Sequence, residues 1–105
     1  MANQAFKQND NSVDPAPLYW VYILYNNISK ELNIGLSFNL SKQSSNFDIT
    51  EKLVYNRSFS SPFNALAHKR LLESLSIQSI MHNIKQANPT LSNLTSEIIN
   101  YKSNI

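Results

Sequence analysis

Residues 18–25 read Leu-Tyr-Trp-Val-Tyr-Ile-Leu-Tyr, eight apolar or aromatic side chains in succession and rich in strand formers. A half-exposed strand alternates apolar with polar residues. This run does not, so it reads as a central strand covered on both faces. That one segment dictates much of the fold, because the remaining residues must supply neighbouring strands and a layer on each side. A chain of 105 residues has room for one such core and not for two.

The segments that follow provide those parts. Asn26-Asn27 and Ser29-Lys30-Glu31 carry turn chemistry, and residues 32–38 read as a second strand, giving a hairpin with a loop of several residues. Gly35, the only glycine in the chain, falls inside that strand, where glycine marks a bulge or a close backbone approach. Asn39 caps a short helix over 40–45, and 52–59 reads as a third strand. Ser60-Ser61-Pro62 starts a helix over 63–73, with Phe63, Leu66, Ala67 and Leu71 as its expected inner face. Ser74-Leu75-Ser76 is a joint. Ile77, Ile80, Met81 and Ile84 then form an i, i+3, i+4, i+7 stripe that Asn88-Pro89 ends. Leu91, Leu94 and Ile98 suggest a last helix. The order is that of a small α+β fold, a three-stranded antiparallel sheet flanked by helices. Residues 1–17, polar and closing on Asp14-Pro15-Ala16-Pro17, read as a disordered leader, and 18–105 as a single domain.

Composition narrows the chemistry. No cysteine is present, which excludes disulfides, thiolate metal sites and cysteine nucleophiles. A single glycine excludes a glycine-rich phosphate loop. His68 and His82 lie 14 apart with no clustered carboxylate, so they do not suggest a metal pair, and no Ser-His-Asp arrangement stands out. Charged residues make up 15% of the chain, with 15 Asn and 15 Ser in their place, and the net charge is +2. That is too sparse for a dedicated sequence-independent nucleic-acid binder. No apolar run approaches the ~18 residues that span a bilayer, and the N-terminus has no secretory h-region, so no membrane partner and a cytoplasmic location are expected.

Several residues stand in a recognisable order. Val21-Tyr22-Ile23 on the first strand, Asn33-Ile34-Gly35 on the second, and then Ser37, Asn39 and Leu40 resemble the GIY-YIG endonuclease superfamily. Leu53-Val54-Tyr55 resembles that family's third strand, and Ala65-Leu66-Ala67 with the later Asn88-Pro89 resembles the end of its small stand-alone bacterial members. The likeness runs from about Tyr19 to about Leu94. It implies a fold in which the two tripeptides lie on adjacent strands, and a chemistry of phosphodiester hydrolysis with one divalent metal. In that chemistry one Tyr helps activate water, a second assists, a helical Arg holds the phosphate and a Glu binds the metal.

Carried onto this chain, the resemblance gives a catalytic position that is kept and three that are substituted. Tyr22 stands where the first Tyr is expected. Asn33 replaces the second and has no phenol, and Gln43 replaces the Arg and brings no charge. Lys69 replaces the metal-binding Glu, and an ammonium has no lone pair for a metal. Gly35 and the packing positions remain. The implied protein is a nuclease-like domain that has lost hydrolysis, needs no cofactor and serves as a binding or interaction module, with weakly bound DNA or another protein as partner. The alternative is a working endonuclease with a rewired site, Glu73 holding Mg²⁺ or Mn²⁺. Glu73 also lies one helical turn from Lys69, where the two would simply pair. Lys42, beside Gln43, and the basic cluster His68-Lys69-Arg70 are the candidate phosphate contacts. Their ordinary role would be an exposed helix face. Two to four such contacts would bind weakly, losing about 0.9 log units of affinity per contact for each decade of salt.

Overall fold

The computed structural model describes residues 18–98, so the expected leader 1–17 lies outside the described residues, as does 99–105 of the expected domain. Strands β1 (Tyr19–Asn26), β2 (Leu32–Ser37) and β3 (Glu51–Phe59) form one antiparallel sheet in the order β2-β1-β3. The uninterrupted apolar strand is thus the central one, and Val21, Tyr22, Ile23 and Leu24 are all buried. Helix α1 (Leu40–Gln43) runs into a 3₁₀ turn, Ser44–Asn46. Helices α2 (Pro62–Ser74) and α3 (Ile77–Ala87) follow β3, and residues 95–98, the last described, are helical. The architecture is α+β.

Local chemistry sets most boundaries. The Asn26 side chain accepts from the backbone N–H of Ile28 (2.8 Å) and Ser29 (2.9 Å), closing the β1–β2 turn, in which Lys30 takes the left-handed conformation at φ 66°. Asn39, Ser61 and Ser76 cap α1, α2 and α3, each accepting from a backbone N–H three residues on. Asn88 ends α3 and does more than stop it. It is buried, its Nδ2 donates to the Val54 and Ser92 carbonyls (3.1 and 2.9 Å), and its Oδ1 accepts from the Ser92 N–H and Oγ (both 3.0 Å). With Leu91 at φ 53°, the chain reverses and returns along β3, where the Leu94 N–H donates to the Leu53 carbonyl at 2.8 Å.

The sheet separates two apolar clusters. Val21, Ile23 and Val54 pack with Ala65 and Leu72 of α2 and Ile80 and Ile84 of α3. On the opposite face Tyr22, Leu24 and Leu53 pack with Leu40 and Ile98, and with Trp20, Phe47 and Leu94 around them. Tyr19 and Tyr25 pack against the first cluster.

The inner face of α2 differs from expectation. Ala65 and Leu72 are buried, whereas Phe63 is 81% exposed and Leu71 and Ala67 are exposed as well. Apolar residues stand on every side of this helix, so periodicity selects no face. The packing selects the one where a small residue, Ala65, lets the helix approach the sheet. In α3 the stripe holds at Ile80, Met81 and Ile84, but Ile77 in its first turn is exposed. No described helix is long and apolar enough to cross a membrane.

Candidate functional site

Tyr22 stands on β1 with its partners in register, Gly35 on β2 and Asn56 on β3. Its ring lies directly over Gly35. A Cβ at that position would overlap the Tyr22 Cζ and hydroxyl and sit 2.7 Å from Cε1. Gly35 has an ordinary φ, so the need for glycine here is one of space and not of backbone conformation. Beyond the ring, Gln43 in the last turn of α1 donates its Nε2–H to the Tyr22 hydroxyl at 2.8 Å. Phe47 packs beside the ring with centroids 5.7 Å apart. Residues 21 positions apart in the chain thus form one unit, held by the hairpin below and by the Asn39-capped helix above.

Electrostatics fix the phenol's state. Burial raises its pKa above the ordinary 10.0, and the negative charge of Glu51 adds to this, while the Gln43 hydrogen bond and the Lys69 charge act in the opposite sense. At neutral pH Tyr22 is therefore a neutral phenol, able to donate and accept hydrogen bonds but not to act as a base through its phenolate. The sign for stability follows. Both folded and unfolded chains hold this proton below pH 10, so the contribution is complete there. It is lost as pH rises past 10, where the unfolded phenol ionises first, and through the folded pKa. Spectrophotometric titration of tyrosinate, wild type minus Tyr22→Phe, is expected to show one phenol ionising later than pH 10.

The other expected positions distribute around this unit. Lys42 and Gln43 line an open groove of about 350 Å³ with Asn39, Asn46, Ser37, Leu36 and Phe38. Asn33 lies on the Tyr22 face, opposite Leu24, but exposed toward the outer edge of β2. There it shares a separate depression with Glu31 and Glu73. Lys69 is held by Glu73 at 2.8 Å, an i, i+4 pair. Arg70 is exposed on α2. His68 leaves the basic cluster altogether. Its Nε2 lies 2.8 Å from the Tyr55 hydroxyl, and its ring lies 5.2 Å from that of Phe59, on the sheet face away from Tyr22. Adjacent positions on a helix point about 100° apart, and here His68 meets Tyr55 while Lys69 meets Glu73.

A divalent metal takes oxygen or imidazole donors with free lone pairs. Lys69 offers an ammonium, Glu73 already accepts from it, and among the described residues no three His, Cys, Asp or Glu side chains gather. Paired with each other, Lys69 and Glu73 present no free donor for the metal that a hydrolytic site of the expected kind would hold. The groove next to the Tyr22–Gln43 pair presents the amides of Asn39, Gln43 and Asn46, the Lys42 ammonium, and Phe38, 83% exposed at the rim. Phe38, Asn46 and Glu51 escaped the sequence reading, since nothing in their spacing ties them to Tyr22. Compared with protein-family models, with curated proteins and with solved structures, the chain matches none.

Proposed function

We propose that this is a GIY-YIG-like domain that has lost phosphodiester hydrolysis and binds single-stranded DNA weakly in the groove beside Tyr22. The observation that carries the reading is the Tyr22–Gln43 hydrogen bond over Gly35. It joins the position kept from the expected catalyst to a substituted one, in a hairpin with glycine at the expected place. The groove has both components of non-specific single-strand recognition. Lys42 and the amides supply phosphate contacts, and Phe38 supplies a face for a base. The missing Arg and metal-binding carboxylate remove charge stabilisation, which dominates phosphoryl transfer.

Fluorescence anisotropy with a labelled oligonucleotide tests this. Binding is expected to be weak and salt-sensitive. Lys42→Ala lowers the slope of log affinity against log salt by about 0.7, the value of one single-strand phosphate contact. Phe38→Ala weakens single-strand binding by about 1–3 kcal/mol without changing that slope. Equal binding by wild type and both variants would place any DNA contact elsewhere.

A further inference from the structure

A second pocket opens on the other face of the sheet, between β3 and the α2–α3 corner. Its volume is about 290 Å³. Ile23, Leu72, Ile80 and Ile84 form an apolar wall, and Tyr55, Arg57, His68 and Asn83 stand along one side. A bulge in β3 helps to place these groups. The β1–β3 register shifts between Ile23 and Leu24, so Val54 and the adjacent Tyr55 both pack against the helix-covered cluster. Tyr55 thereby meets His68. Arg57 lies over the Phe59 ring at 5.1 Å and has no carboxylate partner among the described residues, whose one ion pair is Lys69–Glu73.

We infer that this pocket binds a small amphiphilic anion, its apolar body against Ile23, Leu72, Ile80 and Ile84 and its carboxylate or phosphate head at Arg57, His68 and Tyr55. The donors suit such a head. Burial and the Arg57 charge lower the His68 pKa, so the imidazole is neutral at pH 7. A neutral imidazole and a phenol carry two polar protons between them and spend one on their mutual hydrogen bond. One donor remains, whichever tautomer is present. Arg57 adds an unpaired guanidinium, the group best matched to carboxylate or phosphate oxygens. A cavity of about 150 Å³ holds benzene, so this one has room for a ring and its head group. The site lies across the sheet from Tyr22 and stands or falls independently of DNA binding.

The test is an NMR titration of the full chain at neutral pH, followed at the His68 ring and the Ile80 and Ile84 methyls. The probes are 4-methylbenzoate, phenyl phosphate and the uncharged 4-methylbenzamide. Both anions, or one of them, are expected to saturate these signals at least about tenfold more tightly than the amide, the value of one hydrogen bond to a charged group. The better anion identifies the head group. Arg57→Met, an exposed substitution, removes the preference, and Asn83→Trp at the rim blocks all three probes. No saturable shift with any probe overturns the proposal. So does equal binding of amide and anions, or an anion preference that survives in Arg57→Met.

Discussion

Asn88→Ala is expected to lower stability by about 3 kcal/mol, the cost of stranding buried hydrogen-bonding groups. Four hydrogen bonds converge on this buried side chain, and the Val54 carbonyl behind it belongs to the core of β3. For a domain of this size the loss corresponds to a fall in Tm of roughly 15 °C. Asn88→Asp sharpens the test. It retains the acceptor for Ser92 but replaces an amide that donates to two carbonyls with a charge that repels both. At neutral pH it should destabilise at least as much as alanine. Urea unfolding checks this, with a lower midpoint at unchanged m-value as the expected result. The consequence reaches the candidate site, because Asn88 fastens the return segment that lays Leu94 and Ile98 against Leu24 and Leu53 beside Tyr22.

Gly35→Ala is expected to be nearly as damaging, for a steric reason. Two ring atoms of Tyr22 and its hydroxyl crowd the position of the new Cβ, so the strand or the ring must move, at a cost of about 2–3 kcal/mol. If the ring is the cause, removing it relieves the strain. Tyr22→Leu combined with Gly35→Ala should then be more stable than the sum of the single changes by about 1–2 kcal/mol. Simple additivity would mean that the glycine is needed for something other than the ring above it. Gly35→Ala should also weaken DNA binding in whatever fraction stays folded, because a displaced ring loses its bond to Gln43.

These two residues show how unevenly the sequence reveals the structure. The run 18–25 disclosed the central strand because uninterrupted apolarity has one economical explanation in a small sheet. Ser61-Pro62, Ser76 and Asn88-Pro89 marked helix ends because capping and proline act locally. The inner face of α2 stayed hidden, since Phe63, Leu66 and Leu71 are as apolar as Ala65 and Leu72, and only three-dimensional fit distinguishes them. Asn88 was legible as a stop and not as a buried bracket, because its partners Val54 and Ser92 lie on other segments. The β3 bulge leaves no local mark, and with it the meeting of Tyr55 and His68 was lost. The Tyr22–Gln43 contact came within view only through the family resemblance, which gives both residues, with Asn33 and Lys69, as positions of one catalytic site.

On the proposed function the cleft at Tyr22 binds DNA without cutting it. The most direct measurement is incubation of labelled single-stranded, duplex and branched DNA with the full chain in Mg²⁺ and in Mn²⁺, beside Tyr22→Phe and Glu73→Ala. Intact DNA is expected on every substrate with either metal. Metal-dependent cleavage by the wild type that disappears in both variants would contradict it, and would mean that Glu73 leaves Lys69 to hold a metal in a rebuilt active site.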